Sequence, residues 1–316
     1  MGMDSSIAAA DASGAFSALA GTLRDDLRRH CYRMMGGLQD AEDCVQETLL
    51  RGWREFTGLR DAAAGRPWLY SIATRVCLDA LRTRRRRQTL FGPSLDEIEP
   101  GTEPWVEPWP GGEAGQERGQ NIRLAFVSLL HGLSPQSRAV LLLQGAVGMT
   151  AAEAAAALGI SVAAARSALQ RARTAIATSN PAARQNGTPP GEGTDNVQVE
   201  AYVAAWNAGD VRALIGLLRK DMRMTMPPWR RTFIGRDAVA RFLTGVWPRY
   251  EGFRAVATIA NGQPAVALYA RRRDGSAYLP HSFHVLAGNG RVSEIILYAP
   301  PLGADLIAAF GLPPTA

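Results

Sequence analysis

The sequence predicts a multidomain chain in which two all-α domains precede an α+β domain. Two segments rich in proline and glycine divide the 316 residues into three parts, as domain linkers do. In the first two parts apolar residues recur at helical spacing. In the third part short apolar stretches alternate with turn residues, which is typical of strands. We expect domains at 15–90, 121–178 and 197–316, with linkers at 91–120 and 179–196.

The composition is that of a folded protein, with 47% hydrophobic and 20% charged residues and a formal net charge of +6. The three cysteines, Cys31, Cys44 and Cys77, match no zinc-binding pattern, so we expect reduced core thiols, no metal and no cofactor. No apolar run approaches the roughly 18 residues that span a bilayer, and the N-terminus lacks the basic region of a signal peptide. These features predict a cytoplasmic protein with no membrane partner.

The first domain contains a helix with two different faces. The acidic stretch 40–43 is expected to cap this helix and to supply an acidic first turn, which the helix dipole favours. From Cys44 to Phe56 apolar residues recur on one face, while the opposite face carries acids and polar groups. That second face is either an ordinary solvated surface or a docking surface for a partner.

A second helix, at 66–87, carries a concentrated basic charge. It has seven arginines and one acid, Asp79, and Pro67 is expected in its first turn. Trp68 and Tyr70 lie near its start. Cations for phosphates together with aromatic rings for unstacked bases suit melted DNA. The alternative is that Trp68 belongs to the core and that the arginine run is a solvated helix end.

Residues 133–177 predict a helix-turn-helix. Thr150 and Glu153 form a capping box, in which both side chains satisfy backbone N–H groups at a helix start. Gly159 permits a tight turn, and Ser161 caps the second helix, whose outer face carries the donors and cations that major-groove reading requires. Those outer residues are Arg166, Ser167, Gln170, Arg171 and Arg173. An ordinary alanine-rich helical hairpin is the alternative.

Two stretches together resemble the extracytoplasmic function (group 4) sigma factors of the sigma-70 family. DAEDCVQETLLRGWREF followed by RPWLYSIATRVCLDALRTRRRR is similar to region 2 of that family, and 133–177 is similar to region 4. The resemblance implies that core RNA polymerase and promoter DNA are the partners, and that the helix-turn-helix residues read the −35 element. By the same resemblance, the residues that dock on the polymerase β′ clamp helices are Asp40, Asp43, Gln46, Glu47, Leu50 and Trp53. Those at the −10 element are Trp68, Arg75, Asp79 and Arg82.

The segment between these two blocks holds five prolines and seven acidic residues. The resemblance implies that it threads near the polymerase active site, where acidic residues mimic nucleic acid. Its stretch EPWVEPWP, at 103–110, places two tryptophans between prolines. This pattern indicates a docking patch, either on the polymerase or on the chain's own C-terminal domain. The alternative is that both tryptophans fold back onto the adjacent helices.

The third domain is expected to begin with two helices that meet in a turn at 207–210 and to include a third helix at 235–243. Asn261-Gly262 and Asp274-Gly275 are hairpin signals. The expected strands, which form an antiparallel run, are 223–226, 255–260, 265–271, 282–286 and 292–297.

The phrases AWNAGDVRALIGLL, MTMPPW, FIGRDAVARFL and GRVSEIILY resemble the SnoaL-like branch of the NTF2-like superfamily. That resemblance implies a cone with a concave pocket for a small-molecule ligand or a protein partner. Asp210 is expected to cap a turn, Asp221 to precede a strand, and His281 and His284 to face opposite ways, so we identify no catalytic residues. The candidate pocket residues are Trp206, Met224, Met226, Trp229, Phe233, His281, His284 and Tyr298.

Three functions are consistent with these features. The leading hypothesis is a sigma factor that directs promoter recognition and transcription initiation, with the third domain modulating its activity in cis. The alternative is a ligand-responsive helix-turn-helix regulator that does not act through core polymerase, which leaves the acidic face and the basic helix unexplained. A bifunctional enzyme is disfavoured because a catalytic carboxylate is missing.

Overall fold

A computed structural model of the chain describes residues 3–56, 62–91, 105–111, 124–179, 196–229, 231–273, 275 and 277–316. Nearly all of the expected linker 179–196 lies outside these residues, as does most of 91–120. The chain forms two compact units. The N-terminal unit comprises Met1–Ser94 with Ala125–Pro190, and the C-terminal unit comprises Leu95–Leu124 with Gly191–Ala316.

The N-terminal unit begins with three long helices that pack against one another: α1 (Met3–Met35), α2 (Leu38–Glu55) and α3 (Ala62–Phe91). Their buried apolar side chains, such as Leu27, Val45 and Leu69, form the core between them.

Two expectations about these helices are wrong. Gly37 is the N-cap of α2 and contributes no side-chain hydrogen bond, so the expected acidic cap is wrong, whereas the expected acidic first turn is confirmed by Asp40. Pro67 lies inside α3 because that helix begins five residues earlier, at Ala62.

Four shorter helices follow: α4 (Leu124–His131), α5 (Pro135–Gly145), α6 (Ala151–Leu158) and α7 (Val162–Ser179). The predicted capping box of α6 is confirmed, since Glu153 N–H donates to Thr150 Oγ1 at 3.2 Å and Thr150 N–H donates to Glu153 Oε2 at 2.7 Å. Gly159 ends α6 with φ of +65°, and the Ser161 hydroxyl caps α7 by accepting from Ala164 N–H. The helix-turn-helix is therefore formed as predicted.

The C-terminal unit is a six-stranded sheet covered by helices. Its strands are β1 (Asn196–Val197), β2 (Leu218–Thr225), β3 (Thr232–Ile234), β4 (Gly252–Ala260), β5 (Gln263–Arg271) and β6 (Leu279–Tyr298). The sheet order is β3-β2-β6-β5-β4, with β1 also paired to β6. Its helices are α8 (Val199–Ala208), α9 (Val211–Gly216), α10 (Arg236–Val246) and α11 (Leu302–Ala309).

The sheet differs from the expected antiparallel run. It is mixed, because β1 and β2 both pair with β6 in parallel. The two last expected strands are one long strand, β6, which pairs with β5 through its first half and with β1 and β2 through its second half. The expected hairpin at Asn261-Gly262 is confirmed: both residues have positive φ, of 55° and 69°, as a tight β-hairpin turn requires.

Within the described residues, no single helix is long and apolar enough to cross a membrane; α6 and α7 reach the required length and composition only as a bent pair.

Candidate nucleic-acid interface

The outer face of α2 combines acidic and apolar groups that are open to solvent. Asp43 and Gln46 are exposed, and Leu50 and Trp53 have 42% and 57% of their surface exposed. Asp40 and Glu47 are half-buried and pair with arginines of the same unit. Two large apolar side chains, Leu50 and Trp53, thus lie exposed among charged and polar groups on this face. The structure therefore places the six predicted docking residues on one helix.

The basic helix α3 places its predicted DNA-contacting residues in different environments. Trp68 is half-buried, with its ring 6.0 Å from that of Phe56. Asp79 and Arg82 are exposed and form an ion pair at 3.2 Å. Arg75 is exposed as well, and its Nε donates a hydrogen bond of 2.7 Å to the carbonyl oxygen of Ala157 in α6. One nitrogen of a side chain expected at the −10 element is therefore engaged within the N-terminal unit.

The helix α7 presents a polar face outward and an alanine face inward. Ala165, Ala168 and Ala172 are fully buried, and the first two pack with Val140 and Ala155. Side chains of this size let α7 lie close to α5 and α6. All five predicted reading residues, Arg166, Ser167, Gln170, Arg171 and Arg173, are exposed. The helix thus offers donors and cations to a major groove without rearrangement.

A buried arginine joins the α4–α7 bundle to the α1–α3 bundle. The guanidinium of Arg138 donates to the carbonyl oxygens of Leu130 and Leu133 at 3.0 and 3.4 Å, and to that of Met34 at the end of α1. Burial lowers the pKa of Arg138 to about 10, so the side chain remains charged at neutral pH. A charge this deeply buried needs several acceptors, and these three carbonyls supply them.

His131 lies beside Arg138 and contacts the turn between α1 and α2. Its ring nitrogens lie 3.1 and 3.2 Å from the Arg138 guanidinium, which can only donate, so the ring accepts and is neutral. Burial and the Arg138 charge lower the His131 pKa to about 3. Gly36 has φ of +80°, and a Cβ on it would lie 2.6 Å from His131 Cε1. The turn therefore needs glycine both for its backbone and for the imidazole.

We call the stretch between α3 and α4 the inter-region segment. Its described part, 105–111, belongs to the C-terminal unit. Trp109 N–H donates to the side chain of Asn261 at 2.7 Å, and Asn261 N–H donates back to the Trp109 carbonyl at 2.8 Å. The Tyr298 hydroxyl donates to the carbonyl of Val106, which is only 2% exposed. Of the two docking sites expected for this segment, the polymerase and the chain's own C-terminal domain, the structure shows the segment bound to the second.

Two further contacts extend this attachment. Gly111 N–H donates to the Ile259 carbonyl, and Gly262 N–H donates to the Gly111 carbonyl. Gln263, a buried residue at the start of β5, accepts from the backbone N–H of Leu124 at 3.0 Å. The sequence gives no signal for these roles beyond the hairpin dipeptide itself.

The predicted pocket residues of the C-terminal unit are mostly packed side chains. Trp206 is buried, stacks on Trp247 with ring centroids 4.5 Å apart, and meets Phe253 edge-on. Met224 and Met226 belong to the same core, and Phe233 packs against it. The expectation that Trp229 lines a pocket is corrected, because this residue lies in the turn after β2 with 57% of its surface exposed. Tyr298 also has a role other than the predicted one of lining a pocket, since its hydroxyl donates a hydrogen bond to the inter-region segment.

His281 and His284 lie on the same side of the sheet, which corrects the expectation that they face opposite ways. A register shift opposite Leu268 and Tyr269 inserts an extra residue, and such a bulge changes the alternation of side chains. His284 contacts Trp206, while His281 contacts Phe253 and hydrogen bonds to the Tyr250 hydroxyl at 2.8 Å.

Both rings are neutral. Burial lowers the His281 pKa to about 4 and the His284 pKa to about 3. His284 also hydrogen bonds to the hydroxyls of Tyr202 and Ser282, at 3.0 and 2.9 Å. Among the described residues, no three His, Cys, Asp or Glu side chains are arranged to hold a metal ion.

The two aspartates considered in the C-terminal part have structural roles. Asp210 accepts from Ala213 N–H at the start of α9, so the expected cap is confirmed. Asp221 lies within β2 rather than before a strand, is exposed, and pairs with Arg219 at 2.8 Å. Neither carboxylate belongs to the aromatic core around Trp206.

Three family models match the chain. They are Sigma-70 region 2 over residues 19–87, Sigma-70 region 4 over residues 123–176 and a SnoaL-like domain over residues 199–295. The first contains α2 and most of α3, the second contains the helix-turn-helix, and the third contains most of the sheet. Region 2 and region 4 are used below for the first two ranges.

One curated relative and one solved structure match nearly the whole chain, and a second curated relative matches 72% of it. The ECF RNA polymerase sigma factor SigG of Mycobacterium tuberculosis is 38% identical, over 95% of this chain and 84% of its own length. SigJ of the same organism, also an ECF RNA polymerase sigma factor, is 34% identical over 72% of each chain. The crystal structure of SigJ superposes with a TM-score of 0.62 at 26% identity, covering 93% of this chain and 98% of that one. The chain therefore belongs to the family of extracytoplasmic function RNA polymerase sigma factors.

Proposed function

We propose that the chain directs core RNA polymerase to promoters and that its C-terminal unit restrains it in cis. The first part of this proposal rests on one observation. Three surfaces are exposed, and they follow one another along the chain in the order found in the family. These are the acidic and apolar face of α2 for polymerase, the basic helix α3 for the −10 element and the outer face of α7 for the −35 element. A factor that acts on polymerase works in the cytoplasm.

The first prediction is that the purified chain initiates transcription with core polymerase. A promoter selected from random duplex DNA with the reconstituted complex should give a run-off transcript of defined length. The same reaction with core polymerase alone is the control. A chain that binds the duplex but gives no transcript above that control would instead be a helix-turn-helix regulator that works without polymerase.

The C-terminal unit supports a restraining role through the segment that it binds. Side chains of Asn261, Tyr298 and Gln263, all buried, contact the backbone on both sides of the undescribed stretch 112–123. Backbone pairing at a sheet edge, with buried side-chain acceptors, is a common way to bind an extended peptide. A segment bound in this way is not available to thread into polymerase. We therefore propose that release of the segment activates the factor.

The second prediction concerns variants that weaken this attachment. Asn261→Gly keeps the positive φ of the turn but loses the acceptor for Trp109 N–H, and Tyr298→Phe loses the hydroxyl that binds the Val106 carbonyl. Each loss is worth about 1 kcal/mol, or about fivefold. Hydrogen exchange at the Trp109 and Gly111 amides should accelerate by that factor, and run-off transcription should increase.

Tyr269→Phe is the matched control for these variants. Its hydroxyl also donates to a backbone carbonyl, that of Pro313, but does not contact the inter-region segment. This variant should leave both the exchange of the segment and transcription unchanged. Faster exchange in Asn261→Gly with no change in transcription would refute the restraining role.

A further inference from the structure

The net positive charge of the chain is concentrated in its C-terminal part. Residues 196–316 contain fourteen lysines and arginines and eight acids, so their formal charge is +6, the same as that of the whole chain. The first 195 residues, which include region 2 and region 4, contain twenty-one of each sign. A domain with an excess of basic charge attracts polyanions. The C-terminal part therefore carries the charge expected of a nucleic-acid-binding domain.

Five of these basic residues lie at one end of the hairpin formed by β4 and β5. Arg249 precedes β4, Arg254 lies on it, and Arg271 is the last residue of β5. Arg272 and Arg273 follow β5 directly. Four of the five are exposed, and Arg271 is half-buried. We call these five residues the hairpin arginines.

Two of the hairpin arginines are ordered by an aromatic ring. The guanidinium carbons of Arg254 and Arg271 lie 5.2 and 4.9 Å from the centroid of the Tyr278 ring. Tyr278 packs against Gly252, where a Cβ would lie 3.0 Å from the tyrosine hydroxyl oxygen. A guanidinium held by a cation–π contact loses less conformational entropy when it binds an anion. The ring thus positions cations instead of serving as a platform for an unstacked base.

The hairpin arginines keep an excess of positive charge. Glu251 pairs with Arg271 at 3.1 Å. Within the described ranges, no other acidic side chain forms an ion pair with a hairpin arginine, and Asp274 lies outside those ranges. The exposed guanidiniums therefore have N–H donors for an external anion. Several guanidiniums side by side fit the repeated phosphates of a nucleic acid better than a single carboxylate.

This surface and the inter-region segment lie at opposite ends of the hairpin. Asn261, which binds the segment, is in the turn, whereas Arg271 pairs with Gly252 at the other end. The strand from Gly252 to Ala260 separates the two ends by about 26 Å. The described part of the segment, 105–111, therefore leaves the hairpin arginines uncovered.

Duplex DNA is the polyanion within reach of this surface. Sixteen residues separate Ser179, the end of α7, from Asn196, the start of β1. A chain of this length extends at most about 55 Å, which is the length of about 16 base pairs. When region 4 occupies the −35 element, the C-terminal unit is therefore tethered close to the flanking duplex. Tethering raises its effective concentration there.

We propose that the hairpin arginines are a further DNA-binding surface, which contacts the phosphates of duplex DNA next to the −35 element. Contacts to phosphates carry no sequence information, so this surface adds affinity at every promoter without selecting among them. Phosphate binding itself does not depend on the proposed sigma function. Only the position next to the −35 element rests on that function.

The first experiment measures binding of the full chain to a duplex that lacks the selected promoter sequence, by fluorescence anisotropy at several salt concentrations. In Arg272→Gln with Arg273→Gln the affinity should fall about tenfold. The slope of log K against log salt should fall by about 1.8, since each lost phosphate contact contributes about 0.9. Arg272→Lys with Arg273→Lys keeps both charges and should remain within about twofold of the wild type.

Arg212→Gln with Arg223→Gln is the matched control. Both arginines are exposed in the same unit, on α9 and β2, and β6 and β5 lie between β2 and β4 in the sheet. The change in net charge is the same, but affinity and slope should stay near the wild-type values. Equal losses in both double variants, or no loss in either, would overturn the proposal. A loss of binding to single-stranded RNA without a loss on duplex DNA would overturn it in favour of RNA.

The second experiment locates the surface on a promoter. The hydroxyl-radical footprint of the complex with core polymerase should extend beyond the −35 element, on the side away from the −10 element, in the wild type and the control. In Arg272→Gln with Arg273→Gln that extension should be lost. An unchanged footprint would overturn the position next to the −35 element. If the wild-type complex neither protects the promoter nor gives a transcript, the proposed function fails, while the salt dependence still decides whether the hairpin arginines bind phosphates.

Discussion

Acidification from about pH 7 to about pH 5 is expected to destabilise both units by several kcal/mol. The chain has four histidines, two in each unit, all as neutral rings; His30 and His284 are fully buried, and His131 and His281 are half-buried. Burial lowers the pKa of His30, His131 and His284 to about 3 and that of His281 to about 4. The ordinary pKa of about 6.5 applies in the unfolded chain.

The direction follows from proton uptake. Below about pH 6.5 the unfolded chain binds protons that the native chain does not, so the free energy of unfolding falls with pH until the folded pKa values are reached. At about pH 5 each histidine lowers the free energy of unfolding by about 2 kcal/mol relative to pH 7. Carboxylates with ordinary pKa values contribute mainly at lower pH, so this window isolates the histidines. Urea unfolding at a series of pH values measures the slope.

Variants that replace one histidine with a residue that does not titrate show which unit the pH dependence of stability comes from. His30 donates through Nε2 to Thr74 Oγ1, whose own proton goes to the Tyr70 carbonyl, and His30→Gln retains a donor there. This variant should reduce the pH slope of the N-terminal unit by about one proton, and His284→Asn should do so for the C-terminal unit. Stability that does not change between pH 7 and 5 would show that the histidines titrate normally.

Reversing Asp43 and Glu47 to arginine should abolish binding to core polymerase. The two carboxylates lie on the outer face of α2, and the change replaces two negative charges with two positive ones beside Trp53. Like charges opposed across an interface cost several kcal/mol, so the affinity should fall by about 100-fold or more. The native Glu47–Arg51 ion pair is partly exposed, and its loss within the helix is worth only about 0.5 kcal/mol.

The control is a double variant with the same change in net charge. Asp25 and Glu55 are exposed acids on α1 and at the end of α2, outside the six predicted docking residues. Asp25→Arg with Glu55→Arg should leave the affinity for polymerase within about twofold. Equal loss in both double variants would mean that net charge, rather than the α2 face, governs the interaction.

The features that the sequence predicted are those encoded over a few residues. Thr150 and Glu153 are three residues apart, and the backbone groups that they satisfy belong to the same helical turn. Asn261-Gly262 adopts positive φ because asparagine tolerates this region and glycine lacks the Cβ that would forbid it. Helical periodicity likewise placed the reading residues of α7 on the exposed face.

The features that the sequence could not predict depend on partners far away in the chain. Arg75 and Ala157 are 82 residues apart, Trp109 and Asn261 are 152 apart, and Val106 and Tyr298 are 192 apart. No spacing rule joins such pairs. The bulge near His281 is also invisible in the pattern of residues, because a single inserted position reverses every later side chain of a strand.

The burial of Val106 against the C-terminal unit has a practical consequence for domain dissection. A fragment ending near residue 196 would lack Tyr298 and the rest of the surface that covers this segment. It would expose Val106 together with the neighbouring Trp105 and Trp109, an apolar patch that invites self-association. Such a fragment would combine loss of restraint with reduced solubility. Point variants that retain the sheet therefore report on regulation more faithfully than truncation does.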